Sequence, residues 1–412
     1  MKHTISQVLL YALIFLLPIQ LGKHFFPDYT FISGVRIDYL SPTIYLTDLI
    51  SLALIVLNIS IVNKSFVNKK FLFLLIGIVF HIAISMAWQV ALYKWVKIIS
   101  FVSLFYIFRS AQLNYKTVIK LLIVSSLAQL ILSVTQFATG HSVQGVWYWL
   151  GERYYRSGHP DLAVASIGIK QFIRPYATFS HPNSLAGFYL LMYFFTLLFS
   201  PFRKYGILKV ILLLVTSMLI FISFSKTAIL TYAALNIMYL LKNRKSIDCA
   251  LCFATRIVTI LVIAGIVLSA TGDSASAEKR LGLIDNAMSI VVTHPLTGVG
   301  LGNYLFAEYA FPNKYSYFFL QPVHNIFLLL FAETGIILGG FLVYQIYKTL
   351  KPHIKTDIIF YMILTIMITG LLDHYWLTLQ QNMLLMPVVF GLALSTQHHI
   401  APSNTRTPQK QQ

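Results

Sequence analysis

Acidic residues and cysteines are scarce in this sequence, and each scarcity narrows what it can be. Of 412 residues only 13 are Asp or Glu, against 31 Lys or Arg, and charged residues of both signs make up 11%. A soluble domain carries about 25% charged residues, so a water-facing globular surface is excluded. The two cysteines, Cys249 and Cys252, stand in a C-x-x-C spacing with no second ligand pair, which argues against a four-ligand zinc site. They adjoin a Lys/Arg cluster and read as small apolar residues entering a helix. The long loops lack cysteine, so no disulfide staples them. A formal net charge of +18 would suit a nucleic-acid binder, but the RNA- and DNA-binding motifs are missing and the basic residues cluster between apolar blocks.

What is present is hydrophobicity in long runs. The chain is 57% apolar with a mean hydropathy of +0.73. Its uninterrupted apolar blocks run to about 17–25 residues, enough to cross ~30 Å of hydrocarbon. Spans are expected at 5–21, 43–62, 71–88, 91–108, 116–138, 183–200, 206–222, 226–241, 256–270, 324–347, 357–372 and 378–395. This predicts an all-α, polytopic transmembrane helical bundle of about twelve spans. The first run resembles a signal peptide, yet Gly22-Lys23-His24-Phe25 offers no small-residue cleavage site, so it reads as an uncleaved span.

Lys and Arg in the short connections set the orientation. They fall in alternate connections: Lys64, Lys69 and Lys70; Arg109 and Lys116; Arg203, Lys204 and Lys209; Lys242, Arg244 and Lys245; Lys348, Lys351 and Lys355; then Arg406 and Lys410 in the tail. Both termini are therefore expected in the cytoplasm. Three outer connections are long, 22–42, 139–182 and 271–323, and the latter two, rich in Trp, Tyr, His, Arg and Gly, read as folded extracytoplasmic loops. Residues 278–292 have the spacing of an amphipathic helix lying on the membrane surface. The expected division is 1–138 and 183–270 as helical blocks flanking the 139–182 loop, then the 271–323 loop, the 324–396 helices and a disordered 397–412 tail.

Two constellations carry chemistry. Arg174-Pro-Tyr-Ala-Thr-Phe-Ser-His-Pro-Asn183 precedes a span. Pro182 and Asn183 suit a helix start, but Arg174 and His181 add a cation and a titratable ring that a helix start does not require. The second runs from Arg280 through His294-Pro-Leu-Thr-Gly-Val-Gly-Leu-Gly-Asn303 to His324-Asn325 and Glu333-Thr-Gly335. Its glycines read either as a phosphate-cradling loop or as a flexible turn, since no strand precedes them. His324 and Glu333 belong to a very apolar run, where ionisable groups are costly unless they face a polar cavity. Lys94 and Lys97 enter another span near its outer end, where snorkelling is a sufficient explanation. Among acids, Asp161, Asp273, Asp285 and Glu308 stand out in the outer loops.

These motifs, in this order over roughly 170–345, resemble the bacterial O-antigen ligase and polymerase family, with 206–345 as the region similar to its shared Wzy_C segment. The family's Ser-Arg pair at the outer end of a middle helix is Ser225-Lys226 here, which keeps a charge but loses the guanidinium fork. The resemblance implies a glycosyltransferase needing no metal and no cofactor, in the bacterial cytoplasmic (inner) membrane. Its donor would be an undecaprenyl-diphosphate-linked glycan and its acceptor a glycan or lipid, with membrane lipid around it and no nucleic-acid partner. It implies catalytic roles for His324 and Arg280, and substrate binding by Arg174, His181, Asn183, Lys226, Lys97, Lys94, His294, Gly300 and Asn325. Trp147, Tyr148, Trp149, Tyr154 and Tyr155 would stack on sugars or anchor at the interface. Two alternatives stay open: a transporter or glycan flippase, and a peptidoglycan polymerase of the shape-and-division type, with a metal on His159, Asp161 and His181.

Overall fold

The computed structural model describes residues 2–66, 69–156, 158, 162–167, 170–243, 257–258, 260–262, 264–265, 269, 275–312 and 318–395. The expected tail, most of the 256–270 span, and His159, Asp161, Arg244, Lys245, Cys249, Cys252 and Asp273 lie outside them.

Helices dominate: α1 (Lys2–Leu16), α2 (Leu46–Leu57), α3 (Ile59–Phe66), α4 (Lys69–Ile84), α5 (Trp88–Ser110), α6 (Tyr115–Thr139), α7 (Val146–Trp149), α8 (Pro182–Leu198), α9 (Gly206–Ile222), α10 (Lys226–Lys242), α11 (Ala275–Thr293), α12 (Tyr304–Glu308), α13 (Ile326–Leu350), α14 (Asp357–Gly370), α15 (Tyr375–Thr378) and α16 (Gln380–Ser395). Their limits follow local chemistry. The Asn114 side chain accepts from the Lys116 and Thr117 N–H groups to open α6, and Gly140 closes it in the left-handed conformation. Pro182 opens α8 where no intrahelical N–H is lost.

Helix α8 is the hub. Its residues from Ser184 to Thr196 are buried on every side, and it packs against α9, α14 and α16. A helix apolar all round belongs in an interior. Four stretches, Trp88–Ser110, Tyr115–Thr139, Ser200–Ile222 and Ile326–His353, are long and apolar enough to cross a membrane, and shorter apolar helices such as Pro182–Leu198 and Asp357–Gly370 pack with them. Large apolar side chains such as Leu72, Phe73, Ile207 and Ile336 face outward, which suits hydrocarbon as the surrounding solvent. The chain is thus a multi-pass helical bundle.

The structure departs from the expected spans near the N-terminus in two places, and again within 324–347, where Gly335 breaks the helix. The first helix stops at Leu16, before Pro18 and a strand at Gly22–His24. The expected 43–62 span is broken: Thr43–Tyr45 is a strand, and Asn58 separates α2 from α3.

The expectation of an all-α chain is corrected in the loops, where three two-stranded antiparallel ribbons form. They pair β1 (Gly22–His24) with β4 (Thr43–Tyr45), β2 (Phe31–Ile32) with β3 (Val35–Arg36), and β5 (Val164–Ile167) with β6 (Lys170–Ile173). Long connections satisfy their backbone groups this way. Ser33 and Gly34, both at positive φ, make the β2–β3 turn. The 22–42 connection, which the sequence did not single out as folded, thus carries strands as well. Residues 278–292 do form a helix, within α11, which buries Leu283, Ala287 and Ile290 at helical spacing.

The chain direction puts the start of α8, the end of α9, the start of α13 and the end of α14 at one end of the bundle. Lys204, Lys242 and Lys348 lie toward the opposite ends of these and neighbouring helices, where Lys242 pairs with Asp357.

Candidate functional site

Gln136, buried near the end of α6, holds the segment that carries Arg174 and His181. Its side-chain oxygen accepts from the Tyr176 and Ala177 N–H groups at 3.0 and 2.7 Å, and its amide donates to the Ala177 carbonyl. These bonds keep Ala177 at φ 49°, a left-handed conformation costing a non-glycine residue about 1–3 kcal/mol. Arg174 is thereby aimed at the bundle. Its Nε donates to the Ser223 carbonyl at 2.8 Å and its Nη2 to Oδ1 of Asn183 at 2.6 Å. Asn183 in turn donates through Nδ2 to Oδ2 of Asp373 at 2.8 Å, while Oδ1 of Asp373 accepts the His374 N–H. A cation, a neutral amide and a buried acid thus form one chain, from the connection before α8 through the first turn of α8 to the connection after α14.

His181, not Asn183, caps α8: its Nδ1 accepts the Asn183 N–H at 3.1 Å. That bond leaves the proton of the neutral ring on Nε2. Burial, and then the Arg174 charge, push the His181 imidazole down to about 3, so it stays neutral at physiological pH.

His324 lies just before α13, its ring centroid 5.0 Å from that of His374. Its Nδ1 is buried without a hydrogen-bond partner among the described residues. Burial first, then His374, push its imidazole down to about 3. Burial also lowers His374, whose Nδ1 contacts Thr378 Oγ1 at 2.7 Å. Burial pushes the Asp373 carboxyl up, but the facing His374, His324 and His181 rings and the Asn183 amide hold it below its usual range. Arg280, on α11, donates to the Leu372 carbonyl at 3.3 Å, which brings a second guanidinium to the same loop. Burial lowers Arg174 to about 10, still charged at neutral pH.

The structure therefore joins Arg174, His181, Asn183, Arg280 and His324 around a pair that sequence reasoning missed, Asp373 and His374. A signal existed: both lie in a connection without Lys or Arg between two apolar runs, where an acid needs a partner. Ligand atoms of His324, Asp373 and His374 lie within 4.8 Å of one another, close enough to hold a metal ion.

Other expected site residues are placed differently. Asn325 caps α13, accepting from the Phe327 and Leu328 N–H groups and donating to the Leu371 carbonyl; it fixes the loop that carries Asp373. Lys226 is exposed on the first turn of α10, next to the Ser223 carbonyl that holds Arg174. Lys97 is buried against Asp48 and Gln380, and its ammonium lies 4.7 Å from the Tyr45 ring centre. His294 is exposed, with Nδ1 on Thr293. Tyr148, Trp149 and Tyr154 are exposed, whereas Tyr155 is buried against Tyr176.

The glycine run is not arranged as a phosphate cradle. It fills a break in α13, where Gly335 adopts φ 64°. The Val299 and Gly300 N–H groups donate to the Ala332 and Glu333 carbonyls, and the Ile336 N–H donates to that of Pro295. A Cβ on Gly298 would stand 2.5 Å from the Glu333 carbonyl oxygen, so only glycine fits. Lys94 belongs to this plug, its stem against Gly302 and its charge facing Glu333.

A search of curated proteins found no match to the chain. Residues 183–343 match a family model described as O-antigen ligase. The matched segment begins at Asn183 and contains Arg280, the glycine run, His324 and the broken helix, while Arg174, His181, Asp373 and His374 flank it. Over this segment, which is less than half of its length, the chain is similar to the O-antigen ligase family.

Proposed function

We propose that the chain is a membrane glycosyltransferase that takes a glycan from undecaprenyl diphosphate and joins it to a hydroxyl of a glycan or lipid acceptor, on the extracytoplasmic side. The observation that carries this reading is the neutral imidazole of His324, whose Nδ1 has no hydrogen-bond partner among the described residues, beside two guanidiniums and a buried aspartate. A lipid-linked diphosphate reaches such a site from the bilayer, and the site lies at the bundle end opposite Lys204, Lys242 and Lys348, the end the positive-inside pattern assigns to the outside.

In this reading Arg280 and Arg174 hold the diphosphate, since guanidinium pairs phosphate oxygens in a forked geometry. The acceptor oxygen attacks the anomeric carbon, its proton passes to His324, and the sugar–phosphate bond breaks with both electrons leaving on the diphosphate. The Arg280 charge helps to hold His324 deprotonated. Diphosphate bound to Arg280 offsets that charge, so the imidazole becomes a stronger base when the donor arrives.

A metal-dependent polymerase is the second reading, favoured by the spacing of His324, Asp373 and His374. Two neighbouring guanidiniums oppose a divalent cation there, and we infer that the reaction needs none. The test is purified protein with lipid-linked glycan, with and without excess chelator. Transfer that persists in chelator supports the His324 mechanism; loss that Mg²⁺ or Mn²⁺ restores supports the polymerase. Ladders of product mark a glycan polymerase, and a single addition marks a ligase. No transfer from lipid-linked glycan under either condition overturns the glycosyltransferase reading.

A further inference from the structure

A second polar group stands apart from this site. Glu308, the last residue of α12, is 5% exposed, and its Oε2 is buried with no hydrogen-bond partner among the described residues. It lines an open cavity of about 360 Å³ between α11 and residues 308–312 and 318–320, together with Asn286, Lys279, Tyr309, Phe318 and Phe319. The Lys279 ammonium lies 5.5 Å from the Phe319 ring centre. Nothing in the glycosyl-transfer chemistry above uses this carboxyl.

We propose that this cavity is a carbohydrate subsite, which holds one sugar ring of the glycan with Glu308 as its polar anchor and the aromatic side chains as its walls. The inference rests on the glycosyltransferase reading. Its physical basis is the mixed character of a sugar. A pyranose has apolar C–H faces that pack on aromatic rings, and equatorial hydroxyls that need donors and acceptors. The cavity offers both kinds of surface and has the size of a small-ligand pocket. A buried carboxyl oxygen left without a partner is costly, and a hydroxyl from a bound sugar would satisfy Oε2. Burial pushes the Glu308 carboxyl up to about 8, against the Asn286 amide that pulls it down. At neutral pH it is therefore largely protonated and can donate as well as accept.

The place of the cavity also fits. Lys279, Gly282, Leu283 and Asn286, spaced at i, i+3, i+4 and i+7, turn one face of α11 toward it. Arg280, next to Lys279 on the same helix, reaches the Leu372 carbonyl beside Asp373. A glycan held at the reacting centre could thus rest a more distant sugar on the neighbouring face of α11.

The probe is the oligosaccharide released by mild acid from the cell's own undecaprenyl-diphosphate-linked pool. Saturation-transfer NMR measures its binding to the full chain in nanodiscs, for wild type, Glu308→Gln, Phe319→Ala and Arg280→Lys. Glu308→Gln and Phe319→Ala are each expected to weaken binding about fivefold or more, the loss of one buried hydrogen bond or stacking contact. In transfer assays they should raise the glycan KM and leave kcat nearly unchanged, whereas Arg280→Lys should keep oligosaccharide binding and lose turnover. Melting curves control for folding, and Asn286→Ala replaces any variant that does not fold. Wild-type binding by these variants, or occupation of the cavity by a spin-labelled fatty acid in place of the oligosaccharide, would overturn the subsite. A wild-type protein that transfers glycan while the variants bind normally removes the subsite alone; absence of transfer from any lipid-linked glycan removes the enzymatic reading beneath it.

Discussion

The Asn183 side-chain amide donates to Oδ2 of Asp373 at 2.8 Å, between positions 190 apart in the chain. The same amide accepts from Arg174, so one neutral side chain separates a buried cation from a buried anion and fixes both. Direct pairing would spend the Arg174 charge on Asp373. Interposing Asn183 keeps the two charges from pairing directly.

Asp373→Asn should therefore keep the packing and lose the charge that balances two guanidiniums and orients the imidazoles. Transfer per inserted molecule is expected to fall about 10²-fold or more, on the scale of a lost acid–base component. Near-normal transfer would reduce Asp373 to a tether.

His324 as the base predicts a loss of ~10²–10⁴-fold in turnover for His324→Ala and His324→Gln alike, with membrane insertion and donor binding retained. Arg280→Lys should also be poorly tolerated, because a single ammonium cannot make two parallel bonds to a diphosphate. Glycan transfer normalised to inserted protein separates the cases. A structural His324 would tolerate Gln and fail through lost expression.

Acid should destabilise the fold. His181 and His324 are held at about 3 in the folded state, against an ordinary value of 6.5. Between those values the unfolded chain binds more protons, so stability is highest above pH 6.5 and declines as pH falls below it. Melting temperature in detergent, followed from pH 8 to pH 4.5, should drop on the acid side. The drop should be shallower for His181→Gln, and an identical slope in that variant would remove His181 as a contributor.

Orientation is tested by cysteine labelling in a background with Cys249 and Cys252 replaced by Ser. A cysteine at Tyr148, exposed in the 139–182 loop, should react with an impermeant maleimide in cells whose cytoplasmic membrane is accessible from outside, and one at Lys204 should react only after permeabilisation. The reverse pattern would invert the topology.

The chain's membrane character and most helix positions were legible in sequence, because both depend on neighbours a few residues apart. Apolar runs set helices α6 and α9 almost to the residue, and Asn114 and Pro182 mark starts through local backbone chemistry. The resemblance also picked out Arg174, His181, Asn183, Arg280 and His324, which the fold brings together. What needed tertiary structure was every choice of partner. Lys97 looks like a surface cation until Asp48 and Gln380, from two other helices, enclose it. The spacing of Gly298, Gly300 and Gly302 announces a backbone that something approaches closely, but a phosphate and a protein carbonyl make the same demand; only the fold shows that the approaching group is the broken turn at Gly335. Asp373 and His374 carry no local motif, and their meaning comes from Asn183 and His324, delivered from distant parts of the chain by packing around α8. Sequence determines what each segment can be because backbone and solvent act locally, whereas the pairing of charges depends on distances that exist only once the bundle has closed.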